Sequence, residues 1–191
     1  MQTIIDYITS NYIEFTGFLF GIAYVILAAY QNIWCWITGI INVGLYVMVY
    51  FSAALYGEAL LHVIYLLMGF YGLYQWKYGG KGEKKLTISR LKLKTGLFLI
   101  VFSAGMAILS GYALSWTDTD VPYSDGLATA LGITATWMTA RKILENWLAW
   151  IGANIYCCGL YYYKGLYILL INYIVLSLIA IVGYYKWKKD Y

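Results

Sequence analysis

The sequence predicts an all-α integral membrane protein of seven transmembrane helices, and three observations predict it. The first is composition: of 191 residues, 62% are hydrophobic, 12% are charged and one is proline. A soluble domain of this size must keep its own surface wet and cannot hide so much apolar side chain. The second is block length. Apolar residues gather at roughly 13–30, 33–51, 57–76, 95–115, 125–140, 146–163 and 165–185, close to the ~20 residues that cross ~30 Å of hydrocarbon at about 1.5 Å each. The third is an internal repeat, since a displacement of 111 residues lays the first three blocks on the last three without a gap.

In chain order, Met1 to Ser10 lacks a basic stretch and a small-residue cleavage site, so no cleavable signal peptide is expected before the first span. The second span is split by polar residues. The third ends in Tyr71-Gly72-Leu73-Tyr74-Gln75-Trp76 and runs into a basic segment, Lys77, Lys81, Lys84, Lys85, Arg90, Lys92 and Lys94. The fourth, 95–115, stands alone as a linker. After it, 116–125 carries Asp118, Asp120 and Asp125 without a basic residue, and the fifth span is short. The sixth opens at Asn146-Trp147, and the seventh precedes Lys186, Lys188 and Lys189. Residues 1–76 contain no Lys or Arg, so a formal net charge of +4 is concentrated at one side of the membrane. Basic flanks favour the cytoplasm, which puts the N-terminus outside, the C-terminus inside, and Arg141 and Lys142 at the inner face; only Lys164 falls on the wrong side.

The 111-residue displacement carries Gly21-Ile22 to Gly132-Ile133, Trp36 to Trp147, Tyr50 to Tyr161 and Leu55-Tyr56 to Leu166-Tyr167. It also carries Gly72, Tyr74, Trp76 and Lys77 to Gly183, Tyr185, Trp187 and Lys188. Several Trp and Gly pairs in one ungapped register are hard to obtain by chance. The chain therefore divides into 1–94 (first three-helix repeat with its basic loop), 95–115 (linker helix) and 116–191 (second three-helix repeat). An odd linker gives both repeats the same orientation. That is the parallel three-plus-one-plus-three arrangement of the sugar-transporting SWEET fold, which builds a central path between two bundles.

Two stretches at matching places in the repeats could carry chemistry, Gln31 to Asn42 and Arg141 to Asn154. In the second, Trp147, Trp150, Asn154 and Tyr161 share one helix face; in the first, Trp36, Gly39, Val43 and Tyr50 do so, with Asn42 and Tyr46 alongside. Tryptophan walls stack aromatic rings and attract cationic ones, and asparagine serves hydroxyls as donor and acceptor. Trp36, Asn42, Tyr46, Trp137, Asn146, Trp147, Trp150, Asn154 and Tyr161 are the expected substrate-binding residues. Against this, Trp34, Trp36 and Trp147 lie near helix starts, where interfacial tryptophans collect, and mid-span asparagines also glue helices together. Asn172 fits either role. Glu145, Arg141 and Lys142 read as a solvated rim, His62 and Glu58 as helix-packing residues, and Gly39, Gly152, Ala153 and Gly159 as sites of close helix approach. The opposite face of the sixth span, Ala149, Ile151 and Ile155, reads as lipid-facing. Cys35, Cys157 and Cys158 fall inside apolar blocks without metal-ligand spacing, so neither metal nor cofactor is expected.

The run Trp36, Thr38-Gly39-Ile40-Ile41-Asn42, Leu45-Tyr46 and Leu55-Tyr56-Gly57, the aromatic ending at Trp76, and Arg141-Lys142-Ile143-Leu144-Glu145-Asn146-Trp147 resemble the PnuC-type vitamin transporters over about residues 15–188. The resemblance implies the SWEET-like fold, facilitated diffusion of nicotinamide riboside across the cell (inner) membrane, trapping by a cytoplasmic vitamin kinase, and a homotrimer. Thiamine, or less often riboflavin, is the alternative substrate within the family. Beyond the vitamin and membrane lipid, no nucleic-acid partner is expected. An enzyme is disfavoured because the candidate acid–base groups Glu145 and His62 fall near opposite membrane faces. Coupling to protons, sodium or ATP is disfavoured because mid-span ionisable residues and a GxxxxGK[ST] loop are absent from the reading.

Overall fold

The computed structural model describes residues 12–52, 56–80, 86–117 and 119–191. Met1 to Ser10, Leu55, Lys81, Lys84, Lys85, Asp118 and the side chain of Glu58 lie outside the described residues. Seven helices occupy the rest: α1 Tyr12–Ala29, α2 Trp34–Ser52, α3 Tyr56–Tyr78, α4 Leu93–Leu114, α5 Pro122–Ala140, α6 Asn146–Tyr163 and α7 Tyr167–Asp190. Outside them, the one bridge among the described residues joins Ser89 to Ile143.

Four of the seven, α2, α3, α4 and α7, contain stretches long and apolar enough to cross a membrane, and α1 holds a shorter apolar stretch. The reason α5 is more polar lies in its place. It is wrapped by α3, α4 and α6, and Gly126, Ala130, Gly132, Thr134, Thr136 and Thr139 are buried along it. A helix surrounded by protein does not need a lipid-compatible surface. In contrast α4 exposes Phe98, Ile100, Val101 and Ile108, the composition that hydrocarbon demands. Its contact with α5 is backbone-close: a Cβ on Gly126 would stand 2.5 Å from the Gly111 nitrogen and 2.7 Å from the Ala107 carbonyl oxygen. Ser110 Oγ donates to the Gly126 carbonyl at 3.0 Å. Gly152 and Gly159, expected to admit such approaches, face open space instead.

The helices form two groups, α1–α3 and α4–α7, joined where α1 meets α7 and α3 meets α5. Many contacts have a counterpart 111 residues away, the separation of Gln31 from Lys142, whose Nζ donates to Gln31 Oε1 at 3.2 Å. Those two are the non-glycine residues with positive φ among the described residues, 55° and 48°. Each sits in the same left-handed helix cap: Asn32 N donates to Leu27 O at 2.9 Å, and Ile143 N to Met138 O at 3.0 Å. Beneath the caps, Trp36, Trp76, Trp147 and Trp187 are buried together. Trp36 meets Trp76 edge-on at 5.7 Å, and Trp147 meets Trp187 edge-on at 5.4 Å. Trp76 Nε1 donates across the group boundary to Thr139 O at 3.1 Å, and Trp187 Nε1 to Ala28 O at 3.0 Å. The ring of Trp36 fills the space beside Gly72, and that of Trp147 the space beside Gly183. With Lys77, Arg90, Lys186 and Lys188 nearby, this is the basic end of the molecule.

Two charge readings change here. Lys142 is not part of a solvated rim: it is buried, bonded to Gln31, with Nζ 4.5 Å above the Trp76 ring. Glu145 is likewise engaged, taking Arg90 Nε at 2.6 Å and the Leu91 amide at 2.7 Å, which straps the 86–92 segment across the α5–α6 turn. At the opposite, acidic end, Lys164 Nζ reaches both oxygens of Asp125 at 2.8 Å. The pairing offsets the lysine's charge and accounts for a basic residue on the side where the charge pattern disfavours one.

Candidate functional site

Between the two groups lies a cavity of about 370 Å³, within the range of small-molecule sites. The walls come from α1, α2, α3, α5, α6 and α7, so nothing but the assembled bundle creates it. Six of the nine expected residues line it: Trp36, Asn42, Tyr46, Trp147, Trp150 and Asn154. The other three do not. Trp137 packs against Leu99, Met138 and Ile143 on another side of α5. Asn146 is fully buried behind Thr139, whose hydroxyl donates to its Oδ1 at 3.1 Å. Tyr161 stacks on Tyr173 at 5.2 Å, and it is Tyr173 that reaches the cavity.

The polar groups on the wall differ in how they are engaged. Asn42 Nδ2 donates to Gly17 O at 2.7 Å, so that amide ties α1 to α2. Trp150 Nε1 donates to Thr139 Oγ1 at 3.1 Å. By comparison, Trp36 Nε1 and Trp147 Nε1 are buried with no partner among the described residues. The amides of Asn154, which is 3% exposed, and of Asn172 also make no hydrogen bond there. Buried polar groups are nearly always paired, because an unmet one costs about 1–3 kcal/mol. The indole nitrogens of Trp36 and Trp147 are the buried side-chain groups left unpaired among the described residues, while the amides of Asn154 and Asn172 line the cavity with hydrogen-bonding capacity to spare. No Lys, Arg, Asp or Glu is on that wall among the described residues.

Tyr24, His62, Tyr65, Thr136, Thr139 and Tyr173 also line the cavity and were not among the expected residues. His62 packs against tyrosines, as expected, and also borders the cavity. Its ring lies 4.8 Å from that of Tyr50, and the 111-residue displacement carries this pair onto Tyr161 and Tyr173, a signal the sequence did contain. On the face of α6 expected to meet lipid, Ile155 is 62% exposed, while Ile151 and Ala149 are half-buried against the two core clusters.

A family model described as nicotinamide mononucleotide transporter matches residues 11–189. The chain belongs to this family. It is 26% identical over 203 residues to the nicotinamide riboside transporter PnuC of Escherichia coli (strain K12), an alignment spanning 93% of this chain and 85% of that one. The nicotinamide riboside transporter PnuC of Haemophilus influenzae is 29% identical over 175 residues, 88% of this chain and 76% of the relative; that of Neisseria mucosa is 28% identical over 182 residues, 88% and 69%. A crystal structure of the vitamin B3 transporter PnuC superposes with a TM-score of 0.74 at 23% identity, covering 96% of this chain and 84% of that one. The nicotinamide mononucleotide transporter family is thus the setting in which this chain's seven helices and central cavity belong: a multi-pass membrane transporter.

Proposed function

We propose that this chain carries nicotinamide riboside, not its phosphate, across the cell's inner membrane by facilitated diffusion. The observation that carries the reading is a cavity wall without Lys, Arg, Asp or Glu among the described residues, with unpaired amides at Asn154 and Asn172. The riboside is a cationic aromatic ring joined to a hydroxylated sugar. Tryptophan faces attract such a ring, and free amides meet hydroxyls. The mononucleotide adds a phosphate of about −1.5 to −2 charge. With no Lys or Arg to receive it, that group would be desolvated uncompensated. The relatives named for the riboside support the same choice over the family's own description.

The test is binding to the purified protein. Thermal shift and titration with the riboside should show saturable binding, and the mononucleotide should bind at least about a hundred-fold more weakly, since a misplaced charge costs ~3 kcal/mol or more. Equal affinity for the two would sink the reading, and thiamine or riboflavin in the same panel would reveal another vitamin. In liposomes, uptake should stop at equal concentrations on both sides and ignore ionophores.

We further read the basic end as cytoplasmic and the Asp125 end as external, supported by the concentration of Lys and Arg at the former. A single cysteine at Lys77, with the three native cysteines replaced, should be labelled by an impermeant maleimide only after the membrane is opened; labelling in intact cells would reverse the orientation. A vitamin kinase inside the cell would then trap the riboside as its phosphate, and the family resemblance supports a homotrimer. The division at 1–94, 95–115 and 116–191 into two parallel repeats and a linker is likewise our reading. It is supported by the paired caps, the paired tryptophans and the matched α1–α7 and α3–α5 seams.

A further inference from the structure

Asn146 stands in the sequence as a substrate contact, yet its side chain is wholly buried and does not reach the cavity. What it touches is Thr139. The Thr139 hydroxyl has acceptors for its one proton in Asn146 Oδ1 at 3.1 Å and Ala135 O at 2.9 Å, and it accepts from Trp150 Nε1 at 3.1 Å. Asn146 itself is held, because its Nδ2 donates to Ile143 O at 2.6 Å. The Thr139 backbone is held too, through the Trp76 indole on its carbonyl. A polar chain therefore runs from the rigid α5–α6 turn through Asn146 and Thr139 to the indole of Trp150. That indole is the one cavity-lining tryptophan donor with a protein partner; Trp36 and Trp147 are kept in place by their close fit against Gly72 and Gly183 instead. No glycine is wedged against Trp150 in that way.

We propose that Thr139 is a positioning residue for transport: its hydroxyl, oriented by Asn146, fixes the rotamer of Trp150 so that the indole stands as a preformed wall of the cavity. Preorganisation of this kind raises affinity by removing the cost of ordering a mobile ring during binding. The inference rests on the cavity being the riboside site. Asn146 contributes through Thr139 and not by touching substrate.

A double-mutant cycle tests it. Thr139→Val keeps the branched shape and removes the hydroxyl, and should weaken riboside binding about five-fold, the worth of one neutral hydrogen bond. Thr139→Ser should stay within about two-fold of wild type. Trp150→Phe removes the indole N–H while keeping a ring, and in that background Thr139→Val should have no further effect. If Thr139→Val does not fold, Thr139→Ala carries the same cycle. Ligand-free near-ultraviolet circular dichroism gives a second readout: the change caused by removing the hydroxyl should vanish in the Trp150→Phe background. Effects that multiply in the double variant, or a serine variant as weak as the valine one, would overturn the proposal and make Thr139 a direct contact or a packing residue. Failure of the wild type to bind the riboside would overturn the proposed function alone, since the dichroism cycle needs no ligand.

Discussion

Trp150→Ala is expected to weaken nicotinamide riboside binding about ten-fold without unfolding the protein, as read by titration calorimetry. The loss is that of one aromatic wall, ~1–2 kcal/mol from stacking and cation–π attraction. Asn154→Ala should cost a comparable amount, ~1–3 kcal/mol, because it strands a substrate hydroxyl in a dry site. The two side chains are one turn apart on α6 and both line the cavity. Trp34 supplies the control. It is 62% exposed at the start of α2 and not on the cavity wall, so Trp34→Ala should leave affinity unchanged. A crippled Trp34 variant beside a normal Trp150 variant would place the binding surface outside the bundle and remove the basis of the proposed function.

The second large effect concerns stability. Gly126→Ala should lower the melting temperature of the purified protein more than any single truncation on the lipid-facing side of α4. The added carbon would meet backbone on both sides, Gly111 N and Ala107 O, and backbone cannot rotate away as a side chain can. The helices must separate by about 1 Å or more, and overpacking of this kind costs ~1–3 kcal/mol. The Ser110 hydroxyl bond to the Gly126 carbonyl would be lost with the same movement. Gly152→Ala is the matched comparison, since no atom stands within 4 Å of a Cβ there, and its melting temperature should be that of the wild type. Equal melting of both variants would mean that α4 and α5 are not held by that contact.

How far the sequence foretold these results follows from the kind of information each feature needs. Helix existence and length were legible because hydrocarbon thickness imposes a block size on each span separately. The fifth block, read as 125–140, extends to Pro122 because Pro-Tyr-Ser-Asp is a polar helix start rather than a gap. The cavity wall was legible where one helix carried its own pattern: Trp147, Trp150 and Asn154 needed nothing beyond periodicity. Trp137 lies off the cavity because Thr136 and Thr139 hold that side of α5, and a face made of threonine and alanine gives no aromatic signal. Tyr24 and Tyr65 escaped because α1 and α3 carry tyrosines and apolar residues on several faces, and only the assembled bundle selects the face that meets the cavity. Lys142 escaped because a left-handed cap turns its side chain inward over Trp76, a direction no charge count reveals.

The polarity of α5 bears on how the protein is made. A segment carrying Ser124, Asp125 and four threonines pays too much to leave the insertion channel alone, since polar side chains raise the transfer cost into lipid. The preceding segment, α4, is apolar enough to cross a membrane, ends within reach of the acidic end, and accepts α5 at backbone distance at Gly111. Entry of the pair as a hairpin would let α4 serve as the solvent for its neighbour until α6 and α7 arrive.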